Sequence, residues 1–254
     1  MSPNSHSAIQ NQNMLRDFIR NPYTIIHAIG ITLFVSSWTI LELTFRRIPR
    51  SVLDKRLRWW ARKLLNRIDL QYRVHNPHQV EIEAGKATIV MCNHTSYYDI
   101  PLSLMALHGS IRMLAKKELL KIPVWGKAMQ LTGFVSIDRF NPRRALKDMK
   151  YAKGVMENGI VLWIAPEGTR SKDGQLQSFK PGGFRLAIEC GATIIPLGIQ
   201  GSHRIMHANS LVVKRKVDVD VHIGQPIDAA GYSKKERDQL AKDVETAIRE
   251  LISR

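Results

Sequence analysis

The stretch Ala87-Thr88-Ile89-Val90-Met91-Cys92 is an apolar run of strand length, and the polar residues 93–99 follow it directly. Such a run is typical of a strand that is buried on both faces of a sheet. A second run, residues 160–165, has the same character. Because buried strands of this kind occur where helices cover both faces of a parallel sheet, the two runs predict an α/β fold.

Strand-length runs and helix-period segments alternate around these two runs. Further strands are predicted at residues 111–115, 134–137, 193–199 and 217–223, and helices at residues 143–157 and 184–189. The last helix is predicted to begin at Ser233, where Ser233 and Glu236 have the spacing of a capping box. The alternation predicts one α/β domain over residues 73–254, with a mixed, largely parallel sheet flanked by helices.

Pro196 interrupts the predicted strand at residues 193–199. Proline has no N–H group to donate to a neighbouring strand, and it is rare in the middle of a sheet. The sequence therefore predicts that this strand is an edge strand, that it is bulged, or that it ends at Pro196.

The composition is that of a folded, strongly basic chain. Its 254 residues include 38 Lys and Arg against 22 Asp and Glu, so the formal net charge is +16, and 44% of the residues are hydrophobic. Cys92 and Cys190 are too few for a disulfide scaffold or a four-thiolate zinc site, and they are expected to be small buried residues. The charge fits nucleic acid, anionic lipid or an anionic substrate.

Residues 21–41 contain no charged side chain. As a helix the segment would be about 31 Å long, which is close to the roughly 30 Å of a bilayer core. The sequence predicts that residues 21–72 associate with a membrane, either as a true span or as a shallow in-plane anchor, after a tail at residues 1–20. The alternatives are a buried soluble helix and a signal peptide, and no small-residue cleavage site follows the segment to support the latter.

Half of the net charge follows this segment, because residues 46–67 hold nine basic residues and one acid. The positive-inside rule places the residues after the apolar segment on the cytoplasmic face. An apolar stripe within the block predicts an amphipathic helix that lies in the headgroup layer. The alternative is a surface helix that packs this stripe on the domain. The stripe consists of Leu53, Leu57, Trp60, Leu64 and Ile68.

The polar residues after the run at 87–92 are the first candidate for chemistry. His94 is a candidate general base, because the imidazole pKa lies near neutral pH. Asp99 could fold back across a turn to orient His94. The alternative for His94, taken alone, is a structural histidine at the end of a strand. Ser96 lies in no nucleophile elbow and is expected to be a local hydrogen-bonding residue.

Other polar clusters also follow predicted strands. A guanidinium, a hydroxyl and a tight turn suit the binding of a phosphate, although a polar surface turn is the alternative in each case. The candidates are Arg139, Gly168, Thr169 and Arg170, with Lys180 before a short helix. Glu167, in the same turn, is expected to need a cationic partner or a polyol hydroxyl. His203 and His207 have the spacing of metal ligands, but no third ligand is near, so no metal is expected.

Four blocks in one order carry a resemblance to a known family. Residues 93–99 match an N-H-x-x-x-x-D block, residues 133–139 a G-x-x-x-I-D-R block, residues 165–171 an F-P-E-G-T-R-S block, and residues 195–197 a V-P-V block. The chain resembles the glycerolipid acyltransferase family. Two apolar departures, Ala165 in place of Phe and Leu197 in place of Val or Ile, bear on the shape of a pocket.

The resemblance implies a reaction and a set of roles. It implies transfer of an acyl chain from acyl-CoA or acyl-carrier protein to the free hydroxyl of the lysophospholipid 1-acyl-sn-glycerol 3-phosphate, giving phosphatidic acid. His94 would be the base and Asp99 would orient it, without an acyl-enzyme, a cofactor or a metal. Arg139 and the turn of Glu167, Gly168, Thr169 and Arg170 would hold the phosphoglycerol part.

Other functions remain open from the sequence. A sister O-acyltransferase could act on another lysolipid or on glycerol 3-phosphate. A non-catalytic membrane adaptor is a more distant alternative, and so is a basic nucleic-acid-binding protein, for which no sequence signature is present. Membrane lipids are the expected partner, and the compact length fits a bacterial inner-membrane protein.

Overall fold

A computed structural model describes residues 3–137 and 142–253 of the chain. The helices in this part are α1 Pro3–Phe45, α2 Arg50–Arg67, α3 Asp99–Ala106, α4 Trp125–Leu131, α5 Pro142–Glu157, α6 Gly182–Cys190 and α7 Arg237–Ile252. The strands are β1 Gln71–His75, β2 Thr88–Cys92, β3 Ile111–Lys116, β4 Val135–Ile137, β5 Val161–Ile164, β6 Thr193–Gln200, β7 Asp218–Ile223 and β8 Ile227–Asp228.

The strands form one mixed sheet in the order β1-β7-β6-β2-β5-β3-β4, and β8 also pairs with β6. The neighbours from β6 through β2, β5 and β3 to β4 are parallel, whereas β7 and β8 are antiparallel to β6. The prediction of a mixed, largely parallel sheet is confirmed. The run at residues 87–92 becomes β2, a central strand whose five residues are all buried.

Helices cover both faces of the sheet and give two cores. On one face Val90 and Trp163 pack with Leu65 of α2 and Leu102 of α3. On the other face the alternate strand residues pack against α5, α6 and α7, as Ile89 does with Phe184 and Leu240. Because successive residues of β2 face opposite cores, all five are buried and four of them are apolar.

Pro196 does not behave as the sequence predicted. It lies in the middle of the continuous strand β6, where it is paired in register with Met91 of β2. On the other side of β6, β8 pairs with Thr193 and Ile194, while β7 pairs from Leu197 onward. Pro196 therefore falls between the two antiparallel partners, where no N–H donor is needed for either ladder. The expectation of an edge, a bulge or a strand end was wrong.

The predicted helix ends are present. The Ser233 N–H donates to Glu236 Oε2 at 2.9 Å, and the capping box opens a short 3₁₀ turn, Lys234–Glu236, that leads into α7. Gly191 ends α6 in the left-handed conformation, with φ of 54°, as a glycine beyond a helix does.

The basic helix α2 packs its apolar stripe on the domain. Leu64 and Ile68 are buried in the core, and Leu57 and Trp60 pack against it. The interpretation that this stripe lies among lipid headgroups was wrong, because the domain already covers it. Part of the charge is used internally as well: Arg56 is buried, where it pairs with Glu42 and donates to the Thr39 hydroxyl.

Several polar side chains of α1 beyond residue 20 face the domain. It begins at Pro3, so it includes residues that the sequence analysis placed in a tail. Thr24, Ser36 and Thr39 are buried, and Thr32 Oγ1 accepts a hydrogen bond from Trp60 Nε1 at 2.9 Å. The outward face exposes the large apolar residues Tyr23, Ile26, Ile29, Leu33, Phe34, Trp38, Leu41 and Phe45. This arrangement is the reverse of that of a water-soluble surface helix.

Candidate active site

The site begins where β2 ends, at the carboxyl edge of the parallel strands. Asn93 follows β2, and its side chain makes two hydrogen bonds to the backbone of Ile199 in β6. Asn93 Nδ2 donates to Ile199 O at 2.9 Å, and Oδ1 accepts from Ile199 N at 2.8 Å. These two hydrogen bonds tie the turn at residues 93–98 to the neighbouring strand, a role that no sequence pattern indicated.

His94 and Asp99 are in direct contact. Asp99 is the first residue of α3 and is fully buried, and its Oδ2 lies 2.9 Å from Nδ1 of His94. The same oxygen accepts the backbone N–H groups of Thr95 and Ser96, each at 2.8 Å. The turn folds the carboxylate back across the five-residue spacing. Because a carboxylate only accepts, Nδ1 carries the proton and Nε2 carries the lone pair.

The imidazole is also held from its apolar side. The ring of Trp163 in β5 lies edge-on to the His94 ring, with centroids 5.6 Å apart. Trp163 Nε1 donates to Ser103 Oγ at 2.9 Å, and Ser103 Oγ donates to the Asp99 carbonyl at 2.7 Å. The His94 side chain keeps 15% exposure. Sequence patterns identified Trp163 only as part of a buried strand and did not indicate its contact with His94.

Glu167 supports the backbone of His94. Its Oε1 accepts the His94 N–H at 2.7 Å, and its Oε2 accepts the Gln177 N–H at 2.9 Å. The Ser171 N–H donates to the His94 carbonyl at 2.7 Å. The turn after β5 therefore binds both the N–H group and the carbonyl group of His94. Glu167 is buried, and that burial raises the pKa of its carboxyl group. These contacts favour a positioning role over the predicted contact with substrate.

Glu167→Gln is expected to lower kcat by about tenfold to a hundredfold, because one backbone amide then faces an amide nitrogen and the His94 turn loosens. The size of its effect on stability depends on pH. Since the native pKa lies above the ordinary value of 4.5, the free energy of unfolding of the native protein falls as pH rises from about that value. The difference in the free energy of unfolding between the wild-type protein and Glu167→Gln, measured by thermal denaturation, should therefore become smaller as pH rises.

The matched control for this prediction is Glu245→Gln. Glu245 is a helix-surface residue of α7 that pairs with Arg249. We expect it to change neither kcat nor the pH trend. Full activity of Glu167→Gln with an unchanged trend would contradict the positioning role.

The rest of the turn after β5 carries further hydrogen-bond donors. Gly168 has φ of 78°, a left-handed conformation that favours glycine, and Thr169 is exposed. The Arg170 guanidinium stacks on Tyr97, with its carbon 3.7 Å from the ring centroid. Within the described part of the chain, Arg170 Nη1 is buried without a hydrogen-bond partner. The stacking leaves the in-plane N–H groups of Arg170 directed away from the ring face.

The remaining predicted residues are placed as follows. Arg139 lies outside the described residues. Lys180 is exposed, and its backbone N–H donates to the Pro166 carbonyl at 2.7 Å. Ser96 is fully buried and bonds locally, as expected. Among the described residues no group of three or more His, Cys, Asp or Glu could hold a metal ion.

The two cysteines are free thiols, and Cys92, unlike Cys190, is fully buried. Burial raises the pKa of the Cys92 thiol well above its usual value, and the nearby Asp99 raises it further. Cys92 is therefore a neutral thiol beside the site and is not suited to act as a nucleophile.

The fold and the site together define an α/β protein with an oriented histidine at the carboxyl edge of its sheet. The family model described as acyltransferase matches residues 71–200, from the start of β1 to the end of β6. The chain belongs to the acyltransferase family.

The chain is similar to proteins that are named as 1-acyl-sn-glycerol-3-phosphate acyltransferases. The chain is 34% identical over 139 residues to the chloroplastic 1-acyl-sn-glycerol-3-phosphate acyltransferase LPAT1 of Arabidopsis thaliana, a match that covers 55% of this chain and 39% of that protein. It is 32% identical over 155 residues to the 1-acyl-sn-glycerol-3-phosphate acyltransferase of Haemophilus influenzae, covering 60% and 63%. The matches thus span less than two thirds of either relative.

A solved structure matches nearly the whole chain. The crystal structure of the 1-acyl-sn-glycerophosphate acyltransferase PlsC from Thermotoga maritima has a TM-score of 0.78, with coverage of 94% of this chain and 95% of that one. At 24% sequence identity, this likeness establishes the fold alone.

Proposed function

We propose that this chain transfers an acyl chain from a thioester donor to the free hydroxyl of 1-acyl-sn-glycerol 3-phosphate and so makes phosphatidic acid. The observation that carries the proposal is the hydrogen bond between His94 Nδ1 and the buried Asp99 carboxylate. The donor is acyl-CoA or acyl-carrier protein. Family membership and the names of the relatives support the reaction class.

In this mechanism Nε2 of His94 takes the proton from the acceptor hydroxyl as its oxygen attacks the thioester carbonyl. The C–O bond forms, the C–S bond breaks, and the proton passes from the imidazolium to the leaving thiolate. Asp99 stabilises the transient imidazolium and keeps Nε2 directed outward. Direct attack fits the surroundings, because Ser96 is buried and Cys92 stays a neutral thiol.

We assign the phosphate of the acceptor to the guanidinium of Arg170, together with the hydroxyl of Thr169 and the turn at Gly168. A phosphate supplies the acceptors that the in-plane N–H groups of Arg170 require. Arg139 keeps its predicted role at the same phosphate. Glu167 acts through the His94 backbone.

Tyr97→Leu is expected to raise KM for the phosphate-bearing acceptor about tenfold, because the Arg170 guanidinium loses the ring that orients it. Tyr97→Phe keeps the ring and should restore the wild-type KM. Steady-state kinetics with varied acceptor at saturating donor measure both values. A similar fall in kcat for both variants, with KM unchanged, would contradict this role.

We also propose that α1 lies in the plane of a membrane, with the catalytic domain on the cytoplasmic face. The segment Asn21–Phe45 is long and apolar enough to cross a bilayer. Two of its polar side chains are bonded to α2, however: Thr32 near the middle accepts from Trp60, and Thr39 nearer the end accepts from Arg56. A perpendicular span would separate these contacts, whereas an in-plane helix keeps them and places its apolar face in the lipid.

The experiment for the reaction is an acceptor panel with a single acyl-CoA donor. Thiol release and lipid product are measured with 1-acyl-sn-glycerol 3-phosphate, glycerol 3-phosphate and a lyso-aminolipid. We expect phosphatidic acid from the first acceptor at the highest kcat/KM. A preference for another acceptor would identify a sister enzyme, and absence of thiol release with all three and either donor would contradict catalysis.

A further inference from the structure

The loop at residues 201–217 connects the candidate active site with the start of the apolar helix segment. At one end, Ser202 Oγ lies 2.7 Å from Thr95 Oγ1, next to His94. In the middle, the loop is bonded to Asn21, the first residue of the apolar segment. Asn21 Nδ2 donates to the Leu211 carbonyl at 3.0 Å, and Asn21 Oδ1 accepts from the Val213 N–H at 2.7 Å.

The tip of this loop exposes two adjacent apolar side chains. Leu211 is 70% exposed and Val212 is 50% exposed, although Val213 beside them is buried. The backbone behind the tip is fixed, because the Lys214 N–H donates to the Ile205 carbonyl at 2.7 Å. An apolar pair held outward on a fixed backbone is costly in water, and it indicates a surface that is covered in use.

The charges around the tip indicate what covers it. Residues 201–217 contain four cations and no acid. Lys214 and Lys216 are exposed on the side of the tip that leads to β7. Apolar side chains flanked by lysines fit the boundary between acyl chains and anionic headgroups, where the former are buried and the latter are paired. The hydrogen bonds to Asn21 place the tip beside the start of the apolar segment of α1.

We propose that Leu211 and Val212 form a second lipid-contacting element, which inserts into an anionic bilayer beside α1. This inference rests on the membrane association proposed above for α1. Two separated contacts fix the rotation of the domain about the helix axis. Through Ser202 and Thr95, the loop then directs the His94 edge of the sheet toward the membrane, where an amphiphilic substrate resides.

The test places an environment-sensitive fluorophore, nitrobenzoxadiazole, at single cysteines in a Cys190→Ser background, since Cys92 is buried. The labelled variants are Leu211→Cys, Ile29→Cys on the outward face of α1, and Tyr151→Cys on the exposed surface of α5. Emission is recorded with and without vesicles of phosphatidylethanolamine and phosphatidylglycerol. We expect a blue shift at 211 and 29 and none at 151.

Each other outcome overturns the inference in a distinct way. A shift at 29 without one at 211 would show that α1 associates with the bilayer but that the tip does not insert. No shift at either position would contradict both the insertion of the tip and the association of α1. A shift at 211 that needs only a high protein concentration would show that a second copy covers the tip.

A partition measurement provides a second readout. L211D/V212D should bind these vesicles about tenfold more weakly, because two apolar contacts are lost, whereas Y151D should bind normally. Acyl transfer to detergent-dispersed acceptor should stay at the wild-type level, so that failure of the tip is distinguishable from failure of the reaction. Wild-type vesicle binding by L211D/V212D would overturn the proposal.

Discussion

His94→Ala is expected to lower the rate of acyl transfer by about a hundredfold to ten-thousandfold, which is the range that a positioned general base supplies. No other group in the described site replaces it: Ser96 is buried, and the Cys92 thiol has a raised pKa. The loss should appear in kcat, because the base acts on the hydroxyl only as the C–O bond forms. Thiol release from acyl-CoA at saturating acceptor measures the effect.

The control is His78→Ala at an exposed histidine outside the site, which should leave the rate unchanged. Both variants should stay folded and keep wild-type vesicle binding. His94→Ala should unfold at a lower midpoint, because the buried Asp99 carboxylate loses one hydrogen-bond partner. Residual turnover of His94→Ala within a fewfold of wild type would contradict the assignment of the base.

The sheet and the His94–Asp99 pair could be predicted because the information for both is local in sequence. Strand β2 is buried on both faces, so each of its residues shows the constraint directly. Asp99 reaches His94 because the backbone amides of Thr95 and Ser96 fold the turn around its carboxylate. A polar cluster of a few residues after such a strand is therefore visible without any long-range knowledge.

The partners of Glu167 and Asn93 could not be predicted, because they are backbone groups of distant elements. Glu167 accepts from the main chain of His94 and Gln177, and Asn93 bonds to the main chain of Ile199. Every residue offers such groups, so no side-chain pattern marks which ones will be used. The sequence consequently indicated a substrate contact for Glu167, whereas in the structure its carboxylate accepts hydrogen bonds from two backbone amides.

For the two N-terminal helices, the sequence likewise does not show which face contacts the domain and which contacts lipid. The stripe of α2 fits a lipid interface and a protein interface equally well, because both accept Leu64 and Trp60. Only the assembled domain shows that it takes up this stripe. Conversely, in the sequence the polar residues of α1 only lower the hydrophobicity of the segment. In the structure Thr24 and Thr39 are buried against the domain. The lipid-facing surface is defined by what the domain leaves uncovered.

Asp99→Asn is expected to lower kcat by about a hundredfold or more while preserving the geometry of the turn. The amide oxygen can take the place of Oδ2 and accept from Thr95 and Ser96, so that His94 stays oriented. The amide nitrogen then takes the place of Oδ1, which is buried without a hydrogen-bond partner among the described residues. This unsatisfied donor should cost about 1–3 kcal/mol of stability.

The loss in rate has a separate cause, which is the missing negative charge beside the imidazolium that forms as the hydroxyl proton is taken. Asp99→Asn should therefore reduce kcat and leave KM for the acceptor unchanged, since the phosphate is assigned to Arg170 on the turn after β5. Asp243→Asn on α7, where the carboxylate accepts from Tyr232, is the matched control and should leave kcat intact. If Asp99→Asn lost stability but kept wild-type kcat, the carboxylate would serve only to close the turn, and His94 would need no charged partner to act as a base.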